Sequence, residues 1–242
     1  MQTIYFRDLG RIAYDAAWDY QEQLMQANLR IKAARYENPD AALPDGAVTQ
    51  NHLLFCEHPH VYTLGKSGHI ENLLVNDARL KELGVSFFKT NRGGDITYHG
   101  PGQVVGYPIL DLEYFGTDLG KYMRHLEEVI INMLAQYGIT GGRLPGSTGV
   151  WLDADIKGRA RKICAMGVRC SRWVTMHGLA LNVNTDLTYF DHIVPCGITD
   201  KTVTSMQREL GREVDVEEVK DILWHEFGKV FEAEMVREGE LV

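Results

Sequence analysis

The stretch Arg92-Gly93-Gly94-Asp95-Ile96-Thr97-Tyr98-His99-Gly100-Pro101-Gly102-Gln103, continuing through Val104 to Leu112, leaves few folds open to this chain. Ile96 and Tyr98 alternate with Asp95, Thr97 and His99, so a strand here turns its apolar pair one way and its polar residues the other. Gly100-Pro101-Gly102 then reverses the chain. The return run from Gln103 to Leu112 reads as a half-buried strand, with Pro108 confining it to an edge, an end or a bulge. Gly93 and Gly94 lack Cβ atoms, so their amides can approach the oxygen atoms of a ligand or its acyl chain. A tight turn entering a strand accounts for the glycine pair alone, whereas the added arginine and histidine give the segment the character of a binding hairpin.

The chain has 242 residues, enough to bury a full core, and residues 1–242 are read as one large domain. Its 45% hydrophobic and 24% charged content is that of an ordinary globular protein. No apolar run approaches the roughly 20 residues of a membrane span. The start Met1-Gln2-Thr3-Ile4-Tyr5-Phe6-Arg7 lacks the order of a signal peptide, so the expected location is cytoplasmic, with no membrane partner. A net charge of −8 argues against nucleic acid as a partner. Lys157, Arg159, Arg161, Lys162, Arg169 and Arg172 concentrate positive charge in this acidic chain, as a docking patch or as a solvated hairpin face.

Residues 13–35 carry Tyr14, Ala17, Trp18, Gln21, Leu24, Met25, Asn28 and Leu29 at helical spacing, and Pro39, Pro44 and Gly46 mark a loop after them. His52 to Glu57 and Val61 to Leu64 read as strands, the second running into a polar loop at Lys66-Ser67-Gly68-His69. A short helix capped by Asn76 ends at Gly84, and a strand follows from Val85 to Lys89. Leu119, Tyr122, Met123, Leu126, Val129, Ile130, Met133 and Leu134 form a helical stripe that ends at Gly138, its methionines core filler. Val150-Trp151-Leu152, Ile163 to Arg169 and Val174 to Val183 form an antiparallel meander. Asp215-x-x-Glu218 resembles a capping box opening a last helix, whose core face is Val219, Ile222, Leu223, Phe227, Val230 and Phe231. The fold class is α+β, a sheet with helices packed on it.

Cys56, Cys164, Cys170 and Cys196 show no paired spacing, so neither zinc nor a disulfide framework is expected. His58-Pro59-His60 lacks further ligands for a metal, and strand alternation places both imidazoles on one face. An ammonium beside a thiol favours the thiolate, so Lys162 with a cysteine is the pair of interest. Cys164 stands two residues from Lys162, which on a strand puts both on one face. Cys196, between Pro195 and Gly197, sits in a turn where a thiol can be exposed and a backbone amide can face an oxyanion. On residue chemistry alone both cysteines stay candidates.

Taken with Lys162-Ile163-Cys164-Ala165-Met166-Gly167, His177-Gly178-Leu179-Ala180-Leu181-Asn182-Val183 and Val194-Pro195-Cys196-Gly197, the Arg92 to Gln103 motif resembles the lipoyl(octanoyl) transferase family. The resemblance runs from about Glu57 to Gly197, with His60 standing where a second proline is more usual. It implies the fold shared with biotin and lipoate protein ligases, a mixed and largely antiparallel sheet backed by helices. It also implies an acyltransferase that moves octanoyl from acyl carrier protein to a lysine of lipoyl domains, the first step of endogenous protein lipoylation. The acceptors implied are the lipoyl domains of 2-oxoacid dehydrogenase complexes and the glycine cleavage H protein. Cys196 becomes the nucleophile, Lys162 its activator and Cys164 a bystander. The segments matching substrate contacts are Arg92, Gly93, Gly94, Asp95, Ile96, Thr97, Tyr98 and His99, then Ala165, Met166 and Gly167, then Gly178, Leu179 and Ala180.

Thioester exchange needs no ATP, metal or other cofactor. Amides of the Met166-Gly167 segment are candidates for the oxyanion site, and Lys162 before His99 is the candidate to deprotonate the acceptor lysine. His177 serves either the site or a loop. Two other readings compete: an ATP-dependent lipoate or biotin ligase, which needs no cysteine nucleophile, and a noncatalytic lipoyl-domain or acyl-carrier binding module, which forms no acyl-enzyme.

Overall fold

Two sheets share the Arg92 to Leu112 segment in the computed structural model, which describes residues 1–37, 47–194 and 202–238. β5 (Ile96–His99) belongs to a small sheet of order β4-β3-β5, with β3 (Val61–Leu64) parallel to β4 (Ser86–Lys89) and antiparallel to β5. β6 (Gln103–Ile109) instead lies inside a large sheet, between β2 (Asn51–Glu57) and β10 (Val174–Asn182). The expected hairpin is therefore a crossing from one sheet to another. The turn itself is as expected, the Gln103 amide donating to the Gly100 carbonyl at 3.2 Å.

The large sheet continues on one side through β1 (Gln2–Arg11) and β12 (Ala233–Arg237), on the other through β9 (Arg161–Ser171), β8 (Ser147–Leu152) and β7 (Gly142–Leu144). β1 pairs in parallel with both β2 and β12, and β11 (Thr202–Val203) pairs in parallel with β9. Its other pairings are antiparallel, so the sheet is mixed, and the β8-β9-β10 meander is present as expected.

The return run is not half-buried, for every residue of β6 is buried between its two neighbours and under layers on both faces. An interior proline then has to be accommodated without its missing amide hydrogen. The β6–β10 register places Pro108 opposite His177, beyond the last laddered pair at Leu179 and Gly106. There the ladder opens. His177 adopts a left-handed conformation (φ 59°), and its amide donates to Gln21 Oε1 at 2.9 Å. The Pro108 carbonyl accepts from Thr175 Oγ1 at 2.9 Å. Pairing resumes where the Thr175 amide donates to the Leu110 carbonyl at 2.9 Å.

One face of the large sheet is covered by α1 (Tyr14–Glu37), whose buried stripe is Tyr14, Ala17, Gln21, Met25 and Asn28. The other carries α3 (Leu119–Gln136) and α5 (Val216–Val230), whose apolar faces close the main core over Val104, Ile163, Cys164 and Leu181. α2 (Asp77–Glu82) starts at Asn76, which accepts from the Arg79 amide, and a short α4 (Met206–Leu210) follows β11. The loop marked by Pro39, Pro44 and Gly46 lies outside the described residues. No described helix is long and apolar enough to cross a membrane.

The Asp215 side chain accepts from the amides of Glu217 and Glu218 and so satisfies two donors at the start of α5. Asp215→Ala should lower stability by about 1 kcal/mol in urea denaturation, with the slope of the transition unchanged.

Candidate active site

A cleft of about 830 Å³, including its open mouth, lies between the large sheet and β5. Its floor is Val105 and Tyr107 of β6, Gly178 and Ala180 of β10, and Ala165 and Gly167 of β9. Gly94, Asp95, Ile96, Thr97 and His99 close it from above, while Lys162 and Asn182 stand together at one end. Arg92, Met166 and Leu179 also line it. Most of the residues singled out from sequence thus face one space.

Two do not. The Gly93 amide donates to the Val168 carbonyl at 2.8 Å, and a Cβ at Gly167 would meet the Gly93 carbonyl oxygen at 2.6 Å. Gly93 therefore straps the loop onto β9 and has no amide to offer a ligand, whereas Gly94, at φ 87°, does line the cleft. Tyr98 points into the core of the small sheet beside Tyr62 and Phe190, its hydroxyl bonded to His60 Nδ1 at 2.7 Å. Pro195, Cys196 and Gly197 lie outside the described residues. Tyr14, Thr148, Phe190 and Val203 join the cleft from elements that share no local pattern with its motifs, and Gln103 joins it from the end of the Arg92 to Gln103 motif.

Lys162 and Cys164 do not share a face. Val150 pairs with Cys164 but Trp151 with Lys162, so one step along β8 spans two along β9, a bulge with Ile163 as the extra residue. Ile163 and Cys164 both enter the main core, while Lys162 faces the cleft with its Nζ 4.6 Å from the centre of the Trp151 ring. Burial pushes the Cys164 thiol well above its usual range, which removes it as a nucleophile.

Arg92 Nη2 donates to the Thr63 carbonyl at 2.7 Å and to Thr63 Oγ1 at 2.8 Å. The Thr63 hydroxyl, 3.3 Å from His99 Nε2, is left to donate to that nitrogen, and His99 Nδ1–H donates to Gln103 Oε1 at 2.8 Å. Gln103 Nε2 continues the chain to Asn182 Oδ1 at 2.9 Å, and Asn182 Nδ2 donates to the Thr204 carbonyl at 3.0 Å. With both ring nitrogens engaged, His99 is neutral. Burial first, then the neighbouring His58 and Arg92, pull its pKa down to about 3. His177 is held down to about 3 by burial, Arg92 and Arg169, and its Nε2–H donates to Asn91 Oδ1 at 2.7 Å.

A bend at Pro59 sends His58 and His60 to different places, against the expectation of one face. His58 meets Tyr107 OH at 2.7 Å and the Ile12 carbonyl, while His60 stacks on Tyr189. The basic run is divided too. Arg161 pairs with Asp153 and Glu209, Arg169 with Glu22, and Arg172 stands at the far tip of the β9–β10 hairpin, leaving Lys157 and Arg159 exposed near the Lys162 end. Among the described residues no cluster of three or more His, Cys, Asp or Glu side chains could hold a metal ion.

A cleft that joins glycine-rich loop, histidine and lysine on a sheet of this topology defines a class. The model of the lipoyl protein ligase A/B catalytic domain matches residues 13–228. Solved structures share the fold: a bipartite lipoate protein ligase from Thermoplasma acidophilum (15% identity, TM-score 0.65, 98% of this chain and 86% of that one) and a lipoate-protein ligase A bound with ATP (16% identity, TM-score 0.65, 98% and 88%). Curated relatives are closer in sequence. An octanoyltransferase of Flavobacterium johnsoniae is 59% identical over 97% of this chain and 99% of its own length, and one of Cytophaga hutchinsonii 53% identical over 96% and 93%. The chain belongs to the lipoyl protein ligase A/B catalytic domain family, on its lipoyl(octanoyl) transferase side, and it is an acyltransferase.

The buried neutral imidazoles make stability depend on pH. His99 and His177 take up protons in the unfolded chain below about pH 6.5 but not in the folded protein until about pH 3. Stability should therefore fall on acidification through that window, each imidazole contributing about 1.4 kcal/mol per pH unit below pH 6. Urea titrations at pH 6 and pH 5 should show a shallower fall in His99→Gln than in the wild type.

Proposed function

We propose that this acyltransferase moves an octanoyl group from acyl carrier protein to a lysine of lipoyl domains, through a thioester on Cys196. Residues 1–242 would act as one catalytic domain in the cytoplasm, with the lipoyl domains of 2-oxoacid dehydrogenase complexes and the glycine cleavage H protein as acceptors. The observation that carries the reading is the pairing of an acyl-sized, largely apolar trough with Lys162 at its end. The chain on either side of Cys196 supports it. The Val194 amide donates to the Asn72 carbonyl at 2.8 Å, and β11 runs beside Lys162, with the Thr204 amide donating to the Lys162 carbonyl at 2.9 Å. Cys196 stands two residues after Val194 and six before Thr202. Six residues reach at most roughly 20 Å, a span compatible with the proposed pairing of Cys196 with Lys162.

The chemistry follows from the residue types. The Cys196 thiolate, favoured by the Lys162 ammonium, attacks the thioester carbonyl of the donor, the carbon–sulfur bond of the carrier breaks, and the carrier leaves as a thiol with a proton from Lys162, whose amine is then neutral. The acceptor lysine then attacks as a neutral amine, its proton passes to the Lys162 amine as the amide forms, and Cys196 leaves as the thiolate beside the restored ammonium. Lys162 suits the proton transfer better than His99, whose lone pair is already occupied and whose pKa of about 3 makes it a poor acceptor.

An intact mass taken after mixing the protein with octanoyl-acyl carrier protein should show one added octanoyl group without ATP. Cys196→Ala should abolish that species, while Cys164→Ala, which only removes a small group from the core, should keep most activity. Lys162→Ala should lose at least about 100-fold in transfer, and alkylation of Cys196 in it should recover as pH rises toward the free thiol pKa of roughly 8.5. Acyl-enzyme on Cys164, or transfer that requires ATP, would refute the reading.

Lys157 and Arg159, exposed beside the Lys162 end, suit the acidic surface expected of a carrier protein. Reversing both charges should slow transfer from octanoyl-acyl carrier protein by about tenfold and leave a small octanoyl thioester unaffected, with the wild-type rate on the carrier falling as salt is added. Equal loss on both donors would remove the docking role.

A further inference from the structure

The cleft is open along the sheet but has a built end. On β10 it runs from Asn182, beside Lys162, to His177, five residues that rise about 16 Å. Midway, the cross-strand pair Ala165 and Ala180 keeps the floor low. An extended octanoyl chain, with seven carbon–carbon bonds of ~1.5 Å in zigzag, spans about 9 Å from carbonyl to methyl. The Lys162 side chain and the thioester take up the rest of the length.

At the far end the loop before β5 is strapped down by the Gly93 amide on the Val168 carbonyl, with the Gly93 carbonyl seated over Gly167. The left-handed backbone at His177 turns its ring out of the strand alternation, where it hydrogen-bonds Asn91 at 2.7 Å and lies 6.0 Å from the Trp18 ring of α1. His177 is 1% exposed, and its Nδ1 has no hydrogen-bond partner. We propose that the hydrogen-bonded pair of Asn91 and His177, backed by Trp18, is the end wall that limits the acyl chain to about eight carbons. This rests on the acyltransfer reading above and adds to it the residues that set chain length. A longer chain has to part the two side chains, which leaves the buried His177 donor without its half-buried acceptor.

The test measures acyl-enzyme formation, by intact mass over time, from hexanoyl, octanoyl, decanoyl and dodecanoyl thioesters of pantetheine. His177→Gly removes the ring while suiting the positive φ, and it should raise the rate with decanoyl relative to octanoyl by about tenfold. Asn91→Ala, which leaves the strand backbone alone, should shift the profile the same way and stands in if the glycine variant unfolds. Ala180→Val, which narrows the trough, should shift preference toward hexanoyl. Octanoyl transfer by the wild type together with unchanged profiles in folded His177→Gly and Asn91→Ala would overturn the end wall alone. A wild type that accepts none of the four acyl groups would overturn the functional reading and the end wall with it.

Discussion

A buried arginine joins the two sheets. Arg92 is 8% exposed, and its guanidinium holds the Thr63 carbonyl and hydroxyl of the small sheet while also donating to the Gly93 carbonyl that sits on β9 of the large one. Removing a buried guanidinium would leave these acceptors unpaired in a space closed to bulk water. The cleft is the gap between the sheets, so its shape depends on this one anchor. Through Thr63 the same anchor presets the protonation of His99, and through Gln103 and Asn182 it reaches the backbone at Thr204, next to Lys162.

Two local irregularities place candidate functional side chains in or beside the cleft. The bulge at Ile163 turns Lys162 away from the core that swallows Cys164, so the bulge separates the lysine from the nearer cysteine and faces it into the cleft. The open ladder at Pro108 turns His177 toward Asn91 and lets α1 contribute Gln21 as a substitute partner for its amide. Each departs from strand alternation at a position where alternation would have put a polar group in the core or a proline against a donor.

The polar groups of the cleft bond mostly to one another. His99 and His177 stay neutral because burial and nearby cations disfavour the imidazolium, and burial raises the Tyr14 hydroxyl to about 12. Arg92 and Asp95 also line the cleft, but their charges are engaged by Thr63 and Gly93 and by Asn72 and Ile96, and the remaining wall is neutral, so it offers an acyl chain little to desolvate. Lys162 adds a charge at the other end, where the proposed thioester chemistry needs it.

Periodicity in the sequence determined α1, α2, α3 and α5 and most strands of the meander, because an amphipathic stripe has to be buried and Asn76 and Asp215 mark where helices begin. The motifs determined which residues meet, as Arg92, His99, Lys162 and the Gly178 segment do line one cleft. Tertiary structure decided the rest. β1, β7, β11, β12 and α4 escaped the sequence reading. β1 finds its partners β12 and β2 in parallel from distant parts of the chain, while β7, β11 and α4 are too short to show a period. Whether Gly93 meets a ligand or a neighbouring carbonyl, and whether Lys162 and Cys164 share a face, depended on a strap and a bulge. Both are set by which backbone amide finds which distant carbonyl, and a one-residue shift in that pairing reverses every side chain beyond it.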